Sequence, residues 1–151
     1  MGTLKDRLTE DMRHALRARD ETTTATLRMA LAAVRNAEVA GKAARELSDD
    51  EVLAVLTKEA KRRREAAEAY EEGGRPELAA REQAEEEVLA RYLPEPLTDA
   101  ELSELVGQIL AEKGLSGMQA MGPAMKAVQA VVAGRAEGAR VAAEVRRHLA
   151  G

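Results

Sequence analysis

Apolar residues recur at helical spacing along almost the whole chain. The first segment begins at Thr3, and its apolar face is formed by Leu4, Leu8, Met12 and Ala15 or Leu16. A second segment, 22–39, has a buried side formed by Leu27, Ala30, Leu31, Val34 and Ala37. No stretch shows the apolar–polar alternation of a strand rich in Val, Ile or Thr. The pattern therefore predicts an all-α protein.

Capping residues and helix breakers divide the rest of the N-terminal part. Ser48 and Glu51 have the spacing of a capping box, in which each side chain satisfies a free backbone amide at a helix start. The helix that begins there is predicted to run to Glu72, where Gly73-Gly74 ends it. Pro76 is favourable in a first helical turn and predicts a fourth helix to about Tyr92.

The C-terminal part contains three further helical segments. Thr98 and Glu101 predict a second capping box for a fifth helix that ends near Lys113. Ser116 with Gln119 predicts the cap of a sixth helix, and a turn at 134–138 separates it from a seventh. The turns of this part are assigned to Gly122, Gly134 and Gly138.

Two prolines mark the boundary between these parts. Pro94 and Pro96 disfavour helix on both sides of the segment 93–96. We therefore expect an N-terminal domain of about four helices at 1–94 and a three-helix tail domain at 97–151.

Composition and charge narrow the class of protein. The chain has 151 residues, is 45% hydrophobic and lacks cysteine, so we expect a folded protein without disulfides. No apolar run could serve as a signal peptide or membrane span, which predicts a cytoplasmic protein with no membrane partner. The formal net charge is −4, but the segment from Gly122 onward has a net charge of +3. An acidic body thus ends in a basic tip.

A search for catalytic residues gives little. Serine occurs only at positions 48, 103 and 116, and a serine nucleophile would need a nearby base. The only histidines are His14 and His148. Asp11 and His14 have a spacing that metal sites use, but no other helix repeats the motif that a metal-binding bundle requires. We predict no catalytic residue, no metal and no cofactor.

The densest basic cluster lies in the third helix, where its members are Lys58, Lys61, Arg62, Arg63 and Arg64. Glu59, Glu65 and Glu68 lie within one helical turn and can pair with it. We therefore favour a salt-bridged, solvated helix face. Contact of this cluster with RNA stays open as the alternative. The acidic run 85–87 is likewise predicted to be a solvated face.

Several blocks in order resemble the GatB/YqeY family. They are Leu27-Arg28-Met29, the segment from Glu46 to Leu53, Tyr92-Leu93-Pro94, Met121-Gly122 with Met125, and Gly134 to Gly138. The resemblance implies a YqeY-type helical domain, followed by a tail domain like the one that ends the B subunit of tRNA-dependent amidotransferases. It also implies that this chain lacks the catalytic portion of that subunit. The family commonly has Asp at the position of Glu137. Because Glu is the weaker N-cap, the last helix is expected to be capped differently.

In the amidotransferase the tail domain is understood to hold the body of a tRNA. The resemblance implies the same work here, by a non-catalytic accessory in tRNA aminoacylation or transamidation. Arg140 and Arg147 are one heptad apart on the last helix and can meet phosphates bidentately. The predicted nucleic-acid-binding residues are Lys126, Arg135, Arg140 and Arg147. The plainer alternative is a soluble helix face with Glu144 between the two arginines.

Two other functions stay open. One is a component of a glutamine-dependent carbon–nitrogen ligase, and the other is a helical adaptor that binds only protein. The lack of a credible nucleophile, nucleotide loop or metal cluster favours binding of structured RNA, in the first place tRNA, over the ligase component. The basic tip favours it over the adaptor. A protein partner in tRNA metabolism is possible, and no DNA partner is expected.

Overall fold

The structure is a computed structural model that describes residues 3–132 and 134–151. These residues form seven α-helices, one short 3-10 helix at Met118–Ala120 and no strand, which confirms the all-α prediction. The helices are α1 (Leu4–Arg17), α2 (Glu21–Glu38), α3 (Asp49–Glu72), α4 (Pro76–Ala90), α5 (Asp99–Lys113), α6 (Met121–Val132) and α7 (Gly138–Ala150). The chain divides into two compact units, Met1–Leu93 and Pro94–Gly151.

Three helices begin with complete capping boxes. Thr3, Ser48 and Thr98 each accept a hydrogen bond from the backbone amide three residues on, and the acidic residue at that position accepts from the cap amide. The boxes at Ser48 and Thr98 confirm the sequence prediction. Each box satisfies two amides that would otherwise lack a partner, and loss of such a cap typically costs about 1 kcal/mol.

The N-terminal unit packs α1 to α4 around one apolar core. Its fully buried side chains come from the predicted helical faces of α1 and α2 and from α3 and α4, and include Leu8, Leu27, Leu31, Val34, Leu56 and Leu89. Burial of each large aliphatic side chain stabilises the fold by about 1.5–3 kcal/mol. Leu16, the alternative to Ala15 on the first face, is 58% exposed, whereas Ala15 is buried.

A buried arginine joins α3 to α4 in this unit. Arg63 is 5% exposed and forms ion pairs with Glu59 (3.2 Å) and Glu85 (3.7 Å). Arg64 pairs with Glu86 at 3.4 Å. The prediction that residues 85–87 form a solvated face is therefore wrong for Glu85 and Glu86, because both carboxylates turn towards the arginines of α3. Burial raises the pKa of Glu85, with Glu82 nearby as a further cause.

The C-terminal unit packs α5, α6 and α7 around a second core. Its buried side chains recur every three or four residues and include Leu102, Val106, Ile109, Ala124, Val128, Val141 and Val145. Ser116 does not cap the sixth helix as predicted. Instead the chain passes through Gly117, at a φ of 79°, into the 3-10 helix, and α6 follows at once. Among the described helices of both units, none has the length and apolar content needed to cross a membrane.

Candidate nucleic-acid interface

The last helix is positioned by three buried side chains. Val141, Val145 and Leu149 lie four residues apart and pack into the C-terminal core. This register leaves Arg140 half-buried at the flank of α7 and Arg146 and Arg147 exposed. Glu137 is the N-cap residue, and its side chain makes no capping hydrogen bond. The helix therefore starts after Glu137 without the side-chain cap that Asp supplies, which agrees with the expectation that this helix is capped differently.

Arg140 and Arg135 hold the segment that leads into α5. Nη2 of Arg140 donates to the carbonyl oxygen of Leu97 at 3.0 Å and to Oδ1 of Asp99 at 2.8 Å. Nε of Arg135 donates to the carbonyl oxygen of Glu95 at 2.8 Å, and the Arg135 carbonyl accepts from the Leu97 amide at 2.8 Å. Two predicted RNA-binding residues therefore also have a structural role, which the sequence pattern did not reveal.

Arg147 lies on the same flank of α7 as Arg140, as the heptad spacing predicts. Its Nη2 donates to Oγ of Ser103 on α5 at 2.7 Å, and its guanidinium group also pairs with Glu144. The hydrogen bond from Arg147 is the main reason that the pKa of Glu144 is lowered. The Arg147 side chain is nevertheless 63% exposed, so it stays accessible to solvent and ligands.

Ser103 and His148, which are distant in sequence, meet beside Arg147. Ser103 Oγ lies 3.2 Å from Nε2 of His148, and Oε1 of Glu144 lies 3.2 Å from the same nitrogen. In a Ser-His-acid triad the carboxylate binds the other ring nitrogen, so that the first can take the serine proton. Because Ser103 and Glu144 share Nε2, these contacts join α5 to α7 and do not form a triad.

The fourth predicted residue lies apart from these contacts. Lys126 is exposed on α6, and the contacts described above do not include it. Arg146 on α7 is also exposed, and it has no hydrogen bond or ion pair with the described residues. The sequence pattern counted Arg146 in the basic tip but did not select it, although its offset from the buried valines predicts exposure.

Two of the three assigned turn glycines lie in helices. Gly134 has a φ of 83° and lies in the turn before α7, where glycine meets no steric penalty. Gly122 is instead the second residue of α6, and Gly138 is the first residue of α7. α6 therefore begins before Gly122, and α7 begins at Gly138 and not after it.

The other groups considered from the sequence are the pair Asp11 and His14 and the basic cluster of α3. His14 lies 3.5 Å from Glu10, whereas Asp11 accepts a hydrogen bond of 2.5 Å from the Tyr92 hydroxyl. Within residues 3–132 and 134–151 no three His, Asp or Glu side chains are grouped to hold a metal ion. In the basic cluster of α3, Lys61 pairs with Glu65 and Arg62 with Glu59, which confirms the predicted salt bridges. The prediction of a solvated face is wrong for Arg63, which is 5% exposed.

These features define a small two-unit helical protein with a basic terminal helix. Residues 5–149 match the Yqey-like protein family, YqeY, so the chain belongs to this family. No curated protein matches the chain.

Proposed function

We propose that this protein binds structured RNA, in the first place tRNA, through its C-terminal unit, as a non-catalytic accessory in tRNA aminoacylation or transamidation. The observation that carries the proposal is the manner in which Arg135, Arg140 and Arg147 are held at the surface. The resemblance of this unit to the amidotransferase tail domain supports tRNA as the ligand.

Arg135 and Arg140 are each fixed through one nitrogen of the guanidinium group, whereas Arg147 uses Nε and Nη2 and leaves Nη1. A guanidinium group has five N–H donors, and Arg140 uses only Nη2 and Arg135 only Nε in their hydrogen bonds with the described residues. The donors that are left over can meet a phosphate. Because the side chains are already ordered, less rotamer entropy is lost when a phosphate binds.

The ion pair of Arg140 neutralises this arginine only partly, whereas Glu144, the partner of Arg147, is only 19% exposed. Asp99, the partner of Arg140, is 96% exposed, so water screens this ion pair strongly. Lys126 and Arg146 add charge to the same unit on exposed positions. The C-terminal unit thus combines ordered guanidinium groups with exposed cations, which suits recognition of a folded polyanion by shape and charge.

The structure sharpens the choice of variants for a test. Arg140 is unsuitable because its removal also disturbs the segment before α5. We therefore select Lys126→Gln with Arg147→Gln, which removes two charges from the C-terminal unit. The matched control is Lys61→Gln with Arg62→Gln, which removes the same charges from two exposed positions on α3.

Binding of each full-length variant to a fluorescent tRNA is measured by anisotropy at low salt. Loss of two exposed contacts of about 0.5–1 kcal/mol each should weaken binding by about 5- to 30-fold. The control pair should change affinity by less than about twofold. Equal losses in both variants would assign binding to overall charge, and failure of the unaltered protein to bind would favour the protein adaptor.

A further inference from the structure

The turn between α1 and α2 has an unusual residue at its centre. Arg19 has a φ of 60° and is the sole non-glycine residue with a positive φ among residues 3–132 and 134–151. The other described positions with a positive φ are Gly74, Gly114, Gly117 and Gly134. A side chain is disfavoured there because its Cβ approaches the following carbonyl oxygen.

The same helix ending follows α1, α3 and α5. After α1, the amide of Asp20 donates to the carbonyl of Ala15 at 2.9 Å, and the amide of Arg19 to that of Leu16 at 3.2 Å. This is a Schellman motif, in which glycine is preferred at the left-handed residue. The equivalent endings of α3 and α5 place Gly74 and Gly114 at this residue. Among these three endings, the one after α1 has an arginine in place of glycine at the left-handed residue.

Arg19 lines a shallow cleft of about 250 Å³ together with Leu16, Thr24, Ala25 and Arg28. Leu16 is 58% exposed and provides an apolar wall. Neither Arg19 nor Arg28 forms an ion pair with a described residue. Glu21 is the one acidic residue of the cleft, so the two arginines leave it with a positive charge.

A second cleft, of about 370 Å³, is also lined by residues of this turn. It is lined in part by Arg7, His14, Ala18 and Arg91. It also contains two carboxylates: Asp11 accepts from the Tyr92 hydroxyl and lies 4.0 Å from Nε of Arg7, and Asp20 accepts from the amide and hydroxyl of Thr23. Arg7 stacks on the Tyr92 ring at 4.7 Å from its centre. The two arginines and two carboxylates of this cleft balance, so the net positive charge of the turn comes from Arg19 and Arg28 of the first cleft.

We propose that this α1–α2 corner is a second RNA-binding surface, at which Arg19 and Arg28 bind backbone phosphates and Leu16 contacts a ribose. The proposal rests on the proposed function and adds an N-terminal contact to it. An open, shallow shape and separated arginines suit an extended polyanion better than an enclosed small molecule. Arg19 is retained in an unfavourable backbone conformation because it binds phosphate there.

The unusual backbone of Arg19 gives a test that separates binding from stability. Arg19→Gly removes the guanidinium group and also the steric conflict, so the thermal unfolding midpoint should stay the same or rise. Its affinity for tRNA should fall at least about threefold, and the slope of log affinity against log salt should become shallower by about one. Arg28→Gln should have the same effect on binding. Arg62→Gln, at an exposed arginine of α3, is the matched control. It should change neither the affinity for tRNA nor the slope of log affinity against log salt.

The outcomes distinguish this inference from the proposed function. If the unaltered protein binds tRNA, and the Lys126/Arg147 variant weakens binding while Arg19→Gly and Arg28→Gln do not, the α1–α2 corner is not an RNA surface and the proposed function stands. A lowered unfolding midpoint for Arg19→Gly would assign the arginine to the fold and overturn the inference. Absence of tRNA binding by the unaltered protein would overturn both proposals.

Discussion

Replacement of Arg140 by alanine should destabilise the protein more than any other loss of charge in α7. Its guanidinium group bonds the Leu97 carbonyl and Asp99, and Leu97 itself is 6% exposed in the C-terminal core. Removal of the guanidinium group therefore releases the segment between Pro94 and α5. We predict that the free energy of unfolding falls while the helical content of the folded protein stays the same.

The size of the effect follows from the two contacts. A hydrogen bond from a charged donor to a backbone carbonyl contributes about 1–2 kcal/mol when it is partly shielded from water. The ion pair with Asp99 contributes less than about 0.5 kcal/mol, because Asp99 is 96% exposed. Arg140→Ala should therefore lower the free energy of unfolding by about 1.5 kcal/mol, most of it from the Leu97 contact.

Urea unfolding followed by far-ultraviolet circular dichroism measures this loss. Arg146→Ala is the matched control, since it makes the same change in the same helix at an exposed residue, and it should alter stability by less than about 0.5 kcal/mol. A double-mutant cycle with Asp99→Ala should give a coupling energy below about 0.5 kcal/mol. If Arg140→Ala is as mild as Arg146→Ala, the structural role of Arg140 is refuted.

Three further predictions concern pH, domain structure and chemistry. The hydrogen bond from Arg45 is the main cause that lowers the pKa of Glu51 from 4.5 to about 2. Glu51 therefore stabilises the fold above pH 4.5, and this contribution is lost as the pH falls towards 2. Glu51→Gln should reduce the difference in urea midpoint between pH 7 and pH 3. Limited proteolysis should cut between Leu93 and Thr98, and residues 1–94 expressed alone should keep helical circular dichroism, whereas uniform resistance at this segment would count against separate domains. The purified protein should neither hydrolyse glutamine nor consume ATP with charged tRNA present, and turnover abolished by a single substitution would support the ligase alternative.

The sequence predicted the helices well because their ends carry local signals. Ser48 and Thr98 act through residues three positions away, so their capping boxes can be recognised without knowledge of the fold. The start of α6 was missed because its 3-10 turn has no side-chain cap, and Gly117 determines the local backbone instead.

The contacts of the candidate site could be predicted only in part. The exposure of Arg147 and its position on the flank of Arg140 follow from helical periodicity. The bonds of Arg135 and Arg140 to Glu95 and Leu97 join residues about 40 positions apart and depend on the packing of α7. The contact of Ser103 with His148 has the same origin, since the sequence contains no local signal that brings these two side chains together.

The most direct test of RNA binding is the salt dependence of the affinity of the unaltered protein for tRNA. Each neutralised phosphate releases counterions, so three or four contacts should give a slope of log affinity against log salt of about −2 to −4. Measurable binding at low salt with such a slope is the result that we predict. Absence of binding at low salt, or an affinity that does not change with salt, would contradict the proposal that this protein recognises RNA through its basic residues.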